Sequence, residues 1–395
     1  MKLFAAIDIG SYEVEMKIFQ ITSGKGIKEI DCVCHRMELG KDVYRDGRIG
    51  VEMTDELCRV LNDFVRIMKG YRVDDWRVCA TSAVREAGNQ LVFLDRVKRH
   101  TGLEVEVLSN ASQRFMDYKS IASRENEFNR IIQKGTAIVD VGGGSIQISL
   151  FDKDRLVASQ NMKIGNLRLR ERMMNEGVSL KHYETLLTEV VKNEFLSYKK
   201  LYLKDRVISN LIVVGDHIGD AVHKNVMTRA DFLNFYDDMI YRSDEDAAGR
   251  CEVPEDVISV LRPSLVVYRC FLEAADVENI WMPGLHLTDG MAYEYAQQNR
   301  LLKLGHDFDE DILAAARNAA KRYQCSKSHI KVCEDLAVGI FDKIKKSQLE
   351  GNIAEIRQTL LLPEEVPVIP FSAEKGMGRE EVLSIIFDHA ARKEE

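Results

Sequence analysis

The residues of this chain best suited to chemistry follow an apolar run that ends at Asp140. Three glycines and a serine come shortly after it: Gly142, Gly143, Gly144 and Ser145. A turn of this composition presents backbone N–H groups with no Cβ atoms in the way, and it can hold phosphate oxygens. A carboxylate at the adjacent strand end can hold hydrated Mg²⁺ against that phosphate. The alternative interpretation is a glycine-rich hairpin that binds no ligand.

A second copy of this pattern lies near the N-terminus. Asp8 lies in the apolar run that begins at Phe4, Gly10 and Ser11 follow it, and an alternating segment continues to Gln20. Two Asp-x-Gly hairpins separated by a whole domain indicate a duplicated unit, and repeats of this kind determine the architecture. The sequence therefore predicts two related halves, each beginning with such a hairpin.

The order of the predicted elements repeats as well. Each half begins with three strands joined by short connections, which favours an antiparallel meander, and continues with helices that alternate with two further strands. The predicted strands are 3–9, 12–22, 27–39, 76–81 and 104–108, then 137–141, 146–151, 155–163, 211–215 and 277–282. We expect an α/β protein with two mixed five-stranded sheets flanked by helices and a helical C-terminal extension.

The overall composition limits the class of protein. Of the 395 residues, 45% are hydrophobic and 30% are charged, which is typical of globular proteins. The formal net charge of -8 argues against a nucleic-acid binder. No apolar run approaches the roughly 20 residues that span a bilayer, and no signal peptide is recognisable, so we expect a cytoplasmic protein without membrane association. The 8 cysteines include no C-x-x-C pair, which favours reduced thiols over zinc or disulfides.

Three further stretches narrow the family. They are Ala80–Asn89, Lys163–Glu171 and Val257–Leu265. Together with the hairpins at Asp8 and Asp140, they resemble the exopolyphosphatase/guanosine pentaphosphate phosphatase family over most of the first three quarters of the chain. The Thr-Ser-Ala-x-Arg-Glu-Ala motif within the first stretch is the most specific part. The resemblance implies duplicated actin-like (ribonuclease-H-like) domains with a phosphate chain bound in the cleft between them.

The resemblance also implies an activity. Members of that family hydrolyse phosphoanhydride bonds at the end of polyphosphate, or remove the 5′-phosphate of guanosine pentaphosphate, and Mg²⁺ assists them. Carried over onto this sequence, the metal ligands are Asp140 and Asp8, the catalytic residues are Asp140 and Arg85, and the phosphate ligands are Gly10, Ser11, Gly142, Gly143, Gly144, Ser145 and Arg262. Such a set suits phosphoryl transfer, which depends on positioning and charge neutralisation. The open alternatives are a surface position for Arg85, a structural role for Arg262 in its helix and a turn role for Asp8.

The chain departs from the family pattern where the chemistry is expected. The family's two glutamates after the fifth strand correspond to Ala111 and Ser112, and a further acidic position corresponds to Gln147. At the N-terminal turn, Tyr12 and Glu13 replace an Asn-Ser pair. Because the loss of a positioned general base costs about 10²–10⁴ in rate, a slow hydrolase and a catalytically inactive relative that senses polyphosphate or nucleotide both stay open.

Two other acidic residues could replace the missing glutamates. Asp117 lies one helical turn beyond Gln113, and Glu86 follows Arg85. The sequence alone does not place either of them. A third hypothesis, an ATP-using enzyme of the same architecture, is less favoured because no adenine-site glycines are evident.

The C-terminal third has a different character. Residues 303–342 resemble the opening of the HD-type helical domain found in long family members, and residues 343–395 resemble the last part of a ribosome-assembly GTP-binding protein. No Gly-x-x-x-x-Gly-Lys-[Ser/Thr] loop occurs in the chain, so that tail cannot bind GTP by itself. The predicted domains are therefore 1–134, 135–302, 303–342 and 343–395, and the family resemblance favours a homodimer.

Overall fold

The computed structural model of the chain describes residues 1–24, 26–175, 180–203, 206–215, 217–302, 306 and 308–343. Its first sheet consists of five strands: β1 (Lys2–Ile9), β2 (Glu13–Thr22), β3 (Gly26–Arg36), β4 (Asp75–Ala80) and β5 (Val105–Val107). Their order is β3-β2-β1-β4-β5. The first three strands form an antiparallel meander, and β4 and β5 are added in parallel. Parallel addition requires a crossover, which explains why helices precede β4 and β5.

The helices of the first half cover this sheet. They are α1 (Leu39–Asp46), α2 (Val51–Tyr71), α3 (Ser82–Glu86), α4 (Gln90–Thr101), α5 (Asn110–Ala122) and α6 (Glu125–Ile131). Helix α2 illustrates why they form: Leu57, Leu61, Phe64 and Met68 recur at helical spacing and are all buried. Such an apolar stripe packs a helix against a sheet.

The second sheet repeats the first. Its strands are β6 (Thr136–Val141), β7 (Ile146–Asp152), β8 (Arg155–Met162), β9 (Asn210–Val214), β10 (Val226–Thr228) and β11 (Asn279–Trp281). Their order is β8-β7-β6-β9-β11-β10, which is the first sheet's order with one antiparallel edge strand added. The predicted fold class, two mixed sheets in a duplicated α/β architecture, is confirmed. The sixth strand, β10, was not predicted from the sequence.

The remaining helices are α7 (Asn166–Asn175), α8 (Leu180–Tyr198), α9 (Ile218–Val222), α10 (Arg229–Met239), α11 (Asp244–Cys251), α12 (Glu255–Ala274), α13 (Leu287–Gln298), α14 (Phe308–Arg322) and α15 (Lys327–Lys343), with a π-helical turn at Lys199–Leu203. Residues 1–319 form one compact unit, and a second unit begins at Ala320. Helices α14 and α15 confirm the helical extension. Its HD-type character and the four domain boundaries stay predictions, and the tail 344–395 lies outside the described residues. No described helix is long and apolar enough to cross a membrane.

The two halves of the first unit are joined by helices that pack beyond their own sheet. Helix α13, at the end of the second half, lies on β1 and α5 of the first half, and Tyr295 stacks on Phe4 with ring centroids 4.2 Å apart. In return, Tyr118 of α5 packs against Phe151 of β7. This exchange fixes the position of one sheet against the other, and therefore fixes any site that lies between them.

Met291 of α13 tests this exchange. Its side chain is fully buried between α13 and the first sheet, so Met291→Ala would leave a cavity and lower the free energy of unfolding by about 2–5 kcal/mol. Urea denaturation followed by circular dichroism measures the change. Leu91→Ala on α4 is the matched control, since Leu91 is 69% exposed and its loss should change stability by less than about 0.5 kcal/mol. Equal effects of the two substitutions would contradict the packing described.

Candidate active site

The two Asp-Gly hairpins have the same turn geometry. The N–H of Gly10 donates to the carbonyl oxygen of Glu13 at 3.0 Å, and the N–H of Gly142 donates to that of Ser145 at 3.0 Å. Asp8 is the penultimate residue of β1 and Asp140 is that of β6, so each carboxylate occupies the same place relative to its turn. The hairpins predicted from the sequence are thus equivalent in structure.

The two turns meet face to face. A Cβ atom added to Gly143 would lie 2.7 Å from the Cβ of Ser11, and one added to Gly144 would lie 2.0 Å from the Tyr44 hydroxyl. Only glycine permits so close an approach. The Ser11 hydroxyl is held by hydrogen bonds to Tyr44 at 2.7 Å and to Ser82 at 2.9 Å. The turns therefore form one continuous wall.

A cavity of about 110 Å³ lies beside this wall. Of the predicted site residues, it is lined by Asp8, Gly10, Ser11, Asp140, Gly142, Gly143 and Ser145. The described residues that line it include no lysine or arginine, but they include five carboxylic acids and two histidines: Asp8, Glu13, Glu15, Asp117 and Asp140, with His217 and His286. A cavity of this composition favours cations and repels an unaccompanied phosphate.

Asp117 and Asp8 are buried carboxyl groups with spare hydrogen-bonding capacity. Asp117 is only 5% exposed, and in the described part of the chain neither its Oδ2 nor the Oδ1 of Asp8 has a hydrogen-bond partner. Burial, followed by the charges of Glu15 and Glu13, raises the pKa of Asp8 to about 8. Burial, followed by the charges of Asp140 and Asp8, raises the pKa of Asp117 well above its usual range. A bound cation would relieve both effects.

Asp140 is held by two neutral donors. The side-chain amides of Gln113 and Gln147 both donate to its Oδ2 at 3.3 Å. Within the described ranges, no three His, Cys, Asp or Glu side chains are grouped to hold a metal ion by themselves. Mg²⁺ nevertheless fits, because it keeps several waters and takes only one or two carboxylates together with substrate phosphates. The unpartnered oxygen of Asp8 and the carboxylate of Asp140 are the donors that suit it.

A glutamate–histidine pair lines the cavity next to Asp8, because Glu15 on β2 is the cross-strand neighbour of Asp8 on β1. Nδ1 of His286 lies 2.7 Å from Oε1 of Glu15, and the Thr288 hydroxyl donates to Oε2 at 2.5 Å. Sequence reasoning missed this pair because Glu15 lies on β2 and His286 immediately precedes α13, far along the chain. Glu15 gave no signal of its own, because charged and apolar residues alternate in β2 from Glu13 to Lys17.

Comparison with known proteins identifies the family. The sequence model of the Ppx/GppA phosphatase family matches residues 17–299. The chain belongs to the Ppx/GppA phosphatase family. It shares its fold with the solved Ppx/GppA family member of Aquifex aeolicus (TM-score 0.61, 22% identity, 75% of this chain and 98% of that one). It also shares it with an exopolyphosphatase of Cytophaga hutchinsonii (TM-score 0.65, 17% identity, 77% and 100%).

The curated relatives match this chain over a shorter stretch or at lower identity. The bifunctional 3-dehydroquinate synthase/phosphatase of Fusobacterium nucleatum is 26% identical over 180 residues, which cover 43% of this chain and 26% of that protein. Exopolyphosphatase 2 of Mycobacterium tuberculosis is 27% identical over 180 residues, covering 43% and 54%. The guanosine-5′-triphosphate,3′-diphosphate pyrophosphatase of Photobacterium profundum is 20% identical over 360 residues, covering 88% and 69%. The match thus covers about a quarter of the length of the Fusobacterium protein and about half of the length of the Mycobacterium protein.

The predicted arginines lie outside the cavity lining of the described residues. Arg85 donates to the carbonyl oxygen of Leu108 at 2.5 Å. Arg262 forms an ion pair with Asp244 and donates to the carbonyl oxygen of Arg242 at 2.5 Å. Gly144 is also absent from the lining, since it faces Tyr44. Roles for these three residues toward phosphate stay predictions.

The family's glutamate positions face away from the cavity. Ala111 is exposed, and the hydroxyl of Ser112 bonds that of Ser109 at 2.8 Å. Asp117, one of the two acidic residues considered as replacements, does line the cavity. The other, Glu86, forms an ion pair with Arg168 at 3.0 Å. A carboxylate therefore enters the site from α5, but from a position deeper in the helix than the family pattern specifies.

Gly215 controls the position of Asp140. It has a φ of +83°, and a Cβ atom there would lie 2.2 Å from Oδ1 of Asp140. We expect Gly215→Ala to displace that carboxylate and to lower the free energy of unfolding by about 1–3 kcal/mol, measured by urea denaturation. Gly249→Ala is the control, because nothing lies within 4 Å of its added Cβ atom. If both variants were as stable as wild type, the close approach would be wrong.

Asp8 makes stability depend on pH. Its pKa rises from 3.8 to about 8 on folding, so between these values the folded state keeps a proton that the unfolded state has lost. The free energy of unfolding therefore falls as pH rises through this range. The side chain of Asp8→Asn is neutral at every pH. As pH increases, we therefore expect the urea midpoint of this variant, measured without divalent cations, to rise relative to the midpoint of wild type. Asp95→Asn, at an exposed position of α4, should show the same pH dependence of the urea midpoint as wild type. If the midpoints of all three proteins changed with pH in parallel, the prediction would be wrong.

Proposed function

We propose that this protein hydrolyses phosphoanhydride bonds in the interdomain cavity, at the end of polyphosphate or at the 5′-phosphate of guanosine pentaphosphate. The observation that carries the proposal is the meeting of two glycine turns beside a cavity that contains Asp8, Asp117 and Asp140. Membership of the Ppx/GppA family supports it, as do relatives named exopolyphosphatase and guanosine-5′-triphosphate,3′-diphosphate pyrophosphatase.

Each group of the cavity has a role in this reaction. The N–H groups of Gly10 and Gly142 close their own turns, and other backbone N–H groups of these two turns bind phosphoryl oxygens, as oriented amides do in other phosphate sites. Asp8 and Asp140 would hold Mg²⁺, which supplies charge neutralisation at the phosphoryl group. Asp117 accepts the proton of the water whose oxygen attacks phosphorus, while the bridging P–O bond breaks and its electrons pass to the leaving phosphate chain. A buried carboxyl with a raised pKa suits such a base.

Binding without turnover is the second candidate. It is favoured by one observation, the lack of a carboxylate at Ala111, Ser112 and Gln147, where the family carries acidic residues. In that case the cleft would respond to polyphosphate or nucleotide and report its presence.

Phosphate release from tripolyphosphate and from guanosine pentaphosphate with Mg²⁺ distinguishes the two. For a hydrolase, Asp140→Ala should abolish release, and Asp117→Asn should lower kcat by about 10²–10⁴. The control is Asp95→Asn, at an exposed position of α4, which should match wild type. Wild-type turnover that Asp140→Ala abolishes would exclude the binding protein. A silent wild type that gains activity through Ala111→Glu or Ser112→Glu would instead exclude the hydrolase.

The proposal includes the finer parts of the family resemblance. Residues 303–342 are proposed to be a shortened HD-type segment, and residues 343–395 a fragment related to a GTP-binding protein. A cytoplasmic homodimer is the proposed form. Limited proteolysis with mass spectrometry tests the tail, since cleavage that leaves phosphate release intact is expected for a segment outside the catalytic unit.

A further inference from the structure

The cavity is short of basic side chains. Proteins usually bind phosphate with arginine or lysine, yet the described lining residues include neither. Three arginines near the turns or within the family motifs, Arg85, Arg168 and Arg262, each donate to a backbone carbonyl oxygen of another segment. A fourth, Arg170, forms ion pairs with Glu38 and Glu171. A phosphate chain that enters this cavity would therefore gain from any positively charged group, besides a metal ion, that the lining presents.

His286 is placed to be that group. Its imidazole lines the cavity, and Nδ1 is engaged by Glu15 at 2.7 Å. Nε2 is the ring nitrogen left for the cavity. His286 also precedes the first turn of α13, a helix of 12 residues, and its N–H donates to Asp289 at 2.9 Å. The positive end of that helix therefore lies at the same wall.

Glu15 keeps the imidazole charged and in place. It is only 6% exposed, and the Thr288 hydroxyl satisfies its second oxygen. The 2.7 Å separation between Nδ1 of His286 and Oε1 of Glu15 is that of a direct ion pair, and a buried carboxylate of this kind is stabilised by a positively charged partner. The neighbouring Lys17 is turned to Asp289 at 2.9 Å and Glu29 at 3.2 Å, and it is absent from the described lining.

We propose that His286, held as an imidazolium by Glu15, donates its Nε2–H to a phosphoryl oxygen and is the cationic phosphate ligand of this cavity. The inference rests on the proposed function for the identity of the substrate but not for the binding of phosphate. It assigns neighbouring groups of the cavity opposite tasks: Asp8 and Asp140 serve the metal ion, and His286 serves the anion.

Calorimetric titration of inorganic pyrophosphate in the presence of Mg²⁺ tests the assignment. A hydrogen bond from a charged donor corresponds to an affinity loss of about 10- to 100-fold, so His286→Gln should weaken pyrophosphate binding by that factor. Mg²⁺ binding, measured alone, should not weaken. His100→Gln, an exposed histidine of α4, is the matched control and should bind pyrophosphate as wild type does.

Thr288→Val separates charge from packing. It removes a hydrogen bond of Glu15 but keeps the imidazolium, so it should bind pyrophosphate within about twofold of wild type while unfolding at lower urea. Unchanged pyrophosphate affinity in His286→Gln would overturn the inference, as would an equal loss in Thr288→Val. If wild type binds pyrophosphate but releases no phosphate from tripolyphosphate, the hydrolase proposal fails while the His286 assignment is still decided by the binding series.

Discussion

Asp8, Asp117 and Asp140 enter one poorly solvated cavity from β1, α5 and β6, and the repulsion among them is the constraint to which the rest of the site responds. Burial and mutual repulsion raise the pKa values of Asp8 and Asp117. Amide donors from Gln113 and Gln147 stabilise Asp140 without adding a charge. Binding of a cation lowers the free energy of such a cavity. Binding of phosphate becomes favourable only together with that cation or next to a positively charged group.

The duplicated scaffold explains how these groups are held so close. Each hairpin delivers one aspartate, and glycine at 143 allows the second turn to reach Ser11 of the first. Tyr12 packs with Leu167 and Val260 and so joins the two halves. Arg168 adds a contact across the same seam by pairing with Glu86. The packing of α13 on the first half and of α5 on the second half stabilises the structure against the electrostatic repulsion among the buried carboxyl groups.

Much of this scaffold was predictable because it is encoded locally. Strand alternation, glycine turns and helical apolar stripes are short-range patterns, so both sheets and both aspartates follow from the sequence. The pairing of Glu15 with His286 is not local, because it forms only when α13 crosses to the first sheet. The arginines of the family motifs show a second limit of prediction from sequence. A local motif predicts that Arg85 is near phosphate, but the nearby carbonyl of Leu108 competes for its guanidinium, and sequence carries no measure of that competition.

The departures from the family pattern are best understood as a redistribution of charge. A glutamate at position 147 would place a carboxylate beside Asp140, which already shares the cavity with four other carboxylic acids, whereas Gln147 donates a hydrogen bond to Asp140 instead. On α5, Gln113 and Asp117 are four residues apart and therefore share a face. That face points into the cavity, while Ala111 and Ser112 do not line it among the described residues. The acidic group that α5 contributes to the cavity is thus Asp117, at a desolvated position where a proton is held more tightly. Substitution of the family glutamates is therefore compatible with retained acid–base chemistry.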